Sequence, residues 1–439
     1  MVYKIVKKLI FCFICLMCFR ADAQDTSATD LPGVWDLQTC LNYARKNNIQ
    51  INSLRLSKKS SEQNLLLARA AVLPDLYGSA NQTLRHVETG GGSSSGSYGL
   101  STSWTLYNGG YLKTNIRQQD LLMQQANLSV LKQENDLTLQ ITQAYLNILL
   151  DKESVVYSRD LVYTSTAQLE QARERYKAGS IARRDVVQFE AQLANDQYTL
   201  TSSENAQRQD LLALKQLLQL PHETNMDIAK PDTVIAEVVI PSLEQVRHYA
   251  LQNRPEVKNS ELGLQSAQLG LDKAQAGYKP ALTVGANLGT SYAGNSSYNA
   301  SLGQLSDNFS QQIGVTLSVP IFTKRTNKTN VELAKINIDQ ANLTLKNTRT
   351  VLSQTVEQAY INAVNAQSQY KAAAKQFQYS KEVYRIANEE LRLGAANIYD
   401  FYQQRNSYVQ ALQQYIQAKY NAALSVGIYD FYSGIPVKL

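Results

Sequence analysis

The chain has 439 residues, 44% of them apolar and 18% charged, with a formal net charge of +6 and four cysteines. Its first residues, MVYKIVKKLIFCFICLMCFRADAQ, run from lysines through an apolar core to Ala21-Asp22-Ala23, the small-x-small pattern that signal peptidase cuts, so residues 1–23 are expected to be a signal peptide and the mature chain to be exported. Cleavage would remove Cys12, Cys15 and Cys18, leave Cys40 without a disulfide partner, and lower the charge to +3, 39 basic against 36 acidic side chains, which is no nucleic-acid footprint. A lipid anchor on Cys18 is disfavoured because Met17 and Cys15 stand where small and aliphatic residues are expected.

After the signal, no apolar run reaches the ~18 residues that a transmembrane helix needs, so any membrane insertion has to use strands. The first predicted element is a helix over 37–73, free of Gly and Pro until Pro74. Alternating segments follow. Leu76, Gly78, Ala80 and Leu84 share one face of a faint strand, and in SYGLSTSWTLY Tyr98, Leu100, Trp104 and Leu106 stand opposite Gly99, Ser101, Ser103 and Thr105. GGGSSSG (90–96) reads as the loop between them.

Residues 111–178 lack both Gly and Pro, a helix of ~100 Å at ~1.5 Å per residue, too long for an ordinary globule. Ile141, Ile148, Val155, Val162, Leu169 and Tyr176 fall seven apart, the repeat of a left-handed coiled coil. Three residues after members of that seam come Ala144, Asp151, Ser158, Ser165 and Ala172, small or polar. This leaves two readings, a helical bundle with a poor core or a sheet of helices side by side and wet on at least one face. A single glycine, Gly179 in YKAGSIARRD, interrupts the run, with Asp185 six residues on and a further helix to about Leu220. Antiparallel pairing of that shorter helix covers the long one only if the first helix stacks end to end upon it.

The same order then returns. WDLQTCLNYARKNNIQI (35–51) aligns with PSLEQVRHYALQNRPEV (241–257), and Gln143-Ala144-Tyr145, Gly179 and Asp185 align with Gln358-Ala359-Tyr360, Gly394 and Asp400. The second heptad line is Val356, Ala363, Tyr370, Phe377, Tyr384 and Leu391. Leu282, Val284, Ala286 and Leu288 form its third strand, and Ile313, Val315, Leu317, Val319 and Ile321 the fourth. The expected division is thus a first repeat over 24–220 (helix, β-hairpin 75–107, long helix, tip at 179, helix), a linker over 221–240, a second repeat over 241–430 (helix, β-hairpin 281–321, long helix, tip at 394, helix) and a C-terminal segment 431–439.

Strands of ~10 residues with one apolar and one small-polar face are the pattern of outer-membrane barrels. The competing reading, a soluble antiparallel sheet on a core, has no compact core to cover. Four strands cannot close, and lipid forbids open edges, so oligomerisation has to complete the barrel: two chains give eight strands and a filled interior, three give twelve and a lumen. His86, His222 and His248 are scattered, and there is no phosphate loop, nucleophile elbow or Cys/His pairing, so no catalytic residue, metal site or cofactor is expected. An exported coiled-coil or adhesin-like stalk without transport activity is the alternative from another class.

The duplicated plan, the WDLQTCLNYARKNN and PSLEQVRHYALQNR openings, LYNGG and VPIF at strand ends, QAYLN and QAYIN, and the two glycines each followed by an aspartate resemble the TolC-like outer membrane efflux family over about residues 31–433. The resemblance implies a mainly α fold with β, in which duplicated coiled-coil helices form a periplasmic α-barrel and four transmembrane strands per chain contribute to a trimeric twelve-stranded β-barrel. It implies a passive exit duct of a tripartite efflux pump or type I secretion system, working with a periplasmic adaptor and an inner-membrane transporter in contact with outer-membrane lipid, and no nucleic acid. Gly179 and Gly394, with Ala178, Ser180 and Ala395, would be the tips that meet the adaptor, and Asp400, with Gln403 where some members carry a second acid, would narrow the entrance. Asp185 is either a paired surface charge or a gating contact. Leu100, Trp104, Leu106, Leu282, Val284, Val315, Leu317 and Val319 would face the membrane.

Overall fold

The structure, a computed structural model, describes residues 32–87, 91–221, 223–231, 239–295, 303–395 and 397–436. The expected signal peptide, His222 and parts of the loops over 88–90 and 296–302, of the linker and of the C-terminal segment lie outside the described residues.

Where one helix is expected over 37–73, two form, α1 (Leu37–Asn47) and α2 (Ile49–Ala70). Asn48 divides them: with ψ at 126° it leaves the helical region, and its side-chain oxygen accepts from the N–H groups of Gln50 and Ile51, capping the new helix. The second repeat divides at the same place into α5 (Leu243–Asn253) and α6 (Pro255–Ala276). There Pro255 does the work, since it holds Arg254 extended and suits the first helical position.

The long helices are α3 (Tyr111–Lys177, 67 residues) and α8 (Thr326–Leu393, 68 residues), about 100 Å each. Each turns back into a helix of about half that length, α4 (Arg183–Leu218) and α9 (Ile398–Tyr432). At the far end of α4 the Gln219 side chain accepts from Ile49 N–H at 2.9 Å, so α2 begins where α4 stops and both lie along α3. A two-residue parallel ladder, β1 (Val34–Trp35) with β4 (Asp227–Ile228), straps this joint. Tyr145 of α3 donates to the Trp35 and Ala229 carbonyls, and Lys152 to the Ile228 carbonyl and the Asp227 carboxylate. Beneath the strap lies the largest apolar cluster, where Trp35, Cys40, Ile51, Ile141, Leu146 and Leu214 are buried. Burial pushes the Cys40 thiol up to about 12, so this cysteine stays protonated and unreactive.

Of the heptad line in α3, Ile141, Ile148, Val155 and Leu169 are buried. Of the small or polar residues alongside it, Ser158, Ser165 and Ala172 are buried, Ser158 against Ser203 of α4 at 3.3 Å, while Ala144 and Asp151 are half-buried. Short side chains here bring neighbouring helices close rather than leaving them apart.

Four strands form one antiparallel sheet in the order β2-β3-β5-β6, with β2 at Tyr77–Val87, β3 at Gly91–Asn108, β5 at Ala281–Asn295 and β6 at Ser310–Ser318. A short helix, α7 (Gly303–Asp307), lies in the β5–β6 connection. Pairing of β3 with β5 joins the repeats and leaves β2 and β6 as open edges. Gly91–Gly96, expected as loop, continues the strand opposite Gln82–Val87. Val319, expected inside the last strand, lies just past its end, because Pro320 supplies no N–H and ends the ladder. Leu106 sits at a bulge, so that Trp104 faces Val284 but Tyr107, not Leu106, faces Leu282. No helix among the described residues is long and apolar enough to cross a membrane.

Candidate functional site: two helical tips and a two-faced sheet

Both long helices end in the same way. Gly179 has φ +73°, its N–H bonds the Tyr176 carbonyl, and Ser180 N–H bonds the Arg175 carbonyl, each at 2.9 Å. Gly394 has φ +76°, with its N–H to Leu391 at 3.2 Å and Ala395 N–H to Glu390 at 2.8 Å. These are paired Schellman motifs, in which a left-handed residue lets the next N–H groups satisfy the last helical carbonyls. A Cβ at either glycine would meet open space, so the backbone conformation and not crowding selects glycine. Ala178, Gly179, Ser180, Gly394 and Ala395 are all exposed, which leaves both tips bare to a partner.

The acids six residues on start the returning helices. Asp185 accepts from Ala182 N–H at 3.3 Å and stands 3.6 Å from the Arg184 guanidinium. Asp400 accepts from the Asn397 amide at 2.6 Å while donating its own N–H to the Asn397 oxygen at 2.9 Å. A carboxylate in the first turn also meets the positive end of the helix dipole. Asp400 and Gln403 are exposed and three residues apart on one helix, while Asp185 is half-buried.

The structure brings the two tips of one chain together through residues that the sequence reading did not single out. Arg175, in the last turn of α3, donates to the Leu391 and Arg392 carbonyls of α8 at 3.3 and 2.7 Å, so a cation from one hairpin caps the helix of the other. Between the tips lies a cleft of about 390 Å³ lined by Arg175, Arg184, Asp185, Phe189, Asn388 and Arg392 among others. About two turns into α9, Arg405 reaches Asp196 of α4 at 2.5 Å and Ser165 of α3 at 3.1 Å, and Ser165 also donates to Asp196. All three side chains are almost wholly buried. Gln192 completes the Asp196 carboxylate at 3.0 Å. Tyr384 and Tyr402 stand beside this pair, and burial pushes both phenols up. A lone arginine among polar heptad neighbours carries no sequence signal; only the packing of three helices reveals it.

In the sheet, register decides the faces. Opposite residues of antiparallel strands share a face, so Leu84, Tyr98, Leu100, Trp104, Leu282, Val284, Leu288, Ile313, Val315 and Leu317 form one apolar surface across all four strands. The other surface carries Ser79, Asn81, Ser97, Ser101, Thr283, Asn287, Gln312 and Thr316. On the apolar side Ile313, Val315 and Leu317 are 64–81% exposed, which a sheet covering a soluble core would not allow. The Trp104 indole donates to the Val72 carbonyl at 2.8 Å and Asp75 accepts from Ser103 N–H at 2.6 Å, fixing the sheet to the end of α2.

The family model described as "Outer membrane efflux protein" matches residues 40–219 and 246–426, one block per repeat. The outer membrane efflux protein BepC of Brucella suis is 21% identical over 97% of this chain and 89% of its own, and the toxin and drug export protein A of Aggregatibacter actinomycetemcomitans is 24% identical over 88% and 83%. Among solved structures, the Campylobacter jejuni CmeC outer membrane channel superposes with a TM-score of 0.77 at 19% identity over 92% of this chain and 87% of that one. The open state of the Neisseria gonorrhoeae MtrE outer membrane channel superposes with a TM-score of 0.76 at 20% identity over 92% and 89%. Two matched repeats, the two-faced sheet and the common fold place the chain in the outer membrane: it belongs to the outer membrane efflux protein family, whose members are channels.

Proposed function

We propose that the chain is the passive outer-membrane exit duct of a tripartite efflux pump or of a type I secretion system, and that it works as a homotrimer. The observation that carries this reading is the continuity of one chain from a sheet apolar on one side and hydroxyl-lined on the other to two hairpins of about 100 Å with matched bare tips. The open edges of β2 and β6 have no partner strand among the described residues, and lipid tolerates no such edge. Three copies would give twelve strands with the polar face around a lumen.

The tips, Gly179 with Ala178 and Ser180, and Gly394 with Ala395, dock a periplasmic adaptor that is itself driven by an inner-membrane transporter. Asp400 and Gln403, from each copy, narrow the entrance. Asp185 serves its own hairpin, because its carboxylate is already engaged with Ala182 and Arg184. Leu100, Trp104, Leu282, Val284, Val315 and Leu317 face lipid, with Leu106 and Val319 at the bulge and the strand end.

A cysteine in place of Asp307, in the β5–β6 connection, tests the orientation. It should react with an impermeant maleimide on intact cells, while crosslinking of the detergent-extracted protein should stop at three chains. Labelling that needs a ruptured outer membrane, or a ladder ending elsewhere, would refute the duct.

A further inference from the structure

The corner from β3 into α3 is made by Gly109 and Gly110, with φ +67° and +90°. The second repeat turns from its last strand into α8 at the equivalent positions, and these are Lys324 and Arg325, with φ +47° and +71°. Among the described residues, only Gln219 joins them as a non-glycine residue with positive φ. Two successive cations thus hold a left-handed backbone that glycine adopts freely and that side chains resist. Nothing inside the protomer compensates: both are exposed, and neither they nor Lys328 has a carboxylate within ion-pair distance among the described residues.

What precedes them is apolar and uncovered. Past the end of β6, whose apolar row is Ile313, Val315 and Leu317, the sequence continues with the exposed apolar residues Val319, Ile321 and Phe322, the last two 94% and 84% exposed. The order is therefore lipid-facing strand, two bare apolar side chains, then three cations within five residues at the start of a periplasmic helix. Apolar and aromatic groups followed by basic ones mark a membrane–water interface, and clustered Lys and Arg there attract anionic headgroups.

We infer that Lys324, Arg325 and Lys328, with Ile321 and Phe322 as the apolar wedge, form a binding site for the headgroup of an anionic phospholipid in the periplasmic leaflet of the outer membrane. The inference rests on the outer-membrane duct reading and adds a lipid that this rim selects. Positive charge without a carboxylate partner, continuous with the lipid-facing side of the sheet, favours this occupant over a protein surface. A left-handed corner projects two consecutive cations where a glycine pair would project none.

The test uses the full-length assembly in nanodiscs of phosphatidylcholine with or without phosphatidylglycerol, reading retained lipid by native mass spectrometry and the unfolding midpoint in each. The wild type should retain phosphatidylglycerol preferentially. Lys324→Gly with Arg325→Gly, which restores the first repeat's corner, should weaken that retention by about fivefold for each cation removed, yet melt no lower in pure phosphatidylcholine. Equal retention by the two proteins would overturn the site. So would an Asp75→Asn protein that retains clearly more phosphatidylglycerol than the wild type, since the cations would then be shown to serve an acid of a neighbouring chain. Failure of the wild type to enter either bilayer would instead bring down the duct reading, and the site with it.

Discussion

The two hairpins of this chain have the same backbone and different seams. Along α3 and α4 the facing positions are Val155, Val162, Leu169, Val186, Leu193 and Leu200; the equivalent positions of α8 and α9 are Tyr370, Phe377, Tyr384, Phe401, Tyr408 and Tyr415. In the second hairpin these rings interleave into a continuous stack, with Phe377 on Tyr415 at 5.0 Å and Tyr384 on Tyr408 at 4.9 Å, both pairs within 9° of parallel. The buried charges are divided as well. Asp196 is matched by Ala411 in the second repeat, and Arg405 by Glu190 in the first, so this ion pair, which joins the hairpins as Lys419–Glu153 also does, has no internal copy. Duplication supplied two coils, and substitution made one the donor and the other the acceptor of a contact that holds them together.

The buried pair offers the hardest way to break that contact. Arg405→Met should leave Asp196 buried without its cation and destabilise the tip region by about 3–5 kcal/mol, read as early proteolysis and a lowered unfolding midpoint. Adding Asp196→Leu should return most of the loss; if it does not, the pair is not what joins the coils. Phe377→Leu, which gives the second seam the character of the first, removes stacking on both Tyr408 and Tyr415 and should cost about 1–3 kcal/mol at ~0.5–1.5 per ring pair beyond area burial. Val162→Leu, at the equivalent place in the first hairpin, should change the midpoint far less.

Gly394→Val and Gly179→Val each force a β-branched residue into a left-handed backbone, at about 1–2 kcal/mol. Both should leave trimer abundance near normal. If the tips dock the adaptor, export and adaptor crosslinking should fall, and unchanged crosslinking would reduce the glycines to helix ends. Asp400→Asn keeps the cap on Asn397 in outline, so it should spare docking and alter only the cation dependence of conductance.

The smallest effect is one of pH. Burial, then the neighbouring Asp210 carboxylate, pushes Asp151 of the first hairpin up to about 6, whereas the second repeat has Ala366 and Ser425 at these positions. The folded state holds this proton more tightly than the unfolded chain, so stability should fall as pH rises from about 4 through about 6. Asp151→Asn should flatten that decline and raise the midpoint at neutral pH. A decline that persists unchanged would assign it to another group.

Much of this fold is legible in the sequence. The two glycines, the strand faces and the unbroken length of the long helices follow from local rules, because breaker spacing and periodicity act over a few residues. The division at Asn48 is equally local, with Asn48-Ile49 echoed by Arg254-Pro255 in the second repeat, but a capping side chain is a weaker signal than a Gly or Pro, and a run free of both reads as one helix. Arg405, Asp196 and Ser165 come from three separate helices, and no window of sequence contains them together. Arg175 was hidden in the same way: its acceptors are backbone carbonyls more than two hundred positions away, and any residue type could supply them.

The meeting of α4 and α2 at Gln219 and Ile49 has a mechanical meaning. One wall of the rod is made of two pieces set end to end, while α3 runs past the gap without a break and lies along both. This is a lapped joint with a splint. A sideways load near the strap is carried by bending the unbroken helix, and the joint itself need only resist sliding, which the hydrogen bond and the parallel ladder across it are placed to do. Flexure can therefore concentrate at one level of the wall while the covalent spine stays helical throughout.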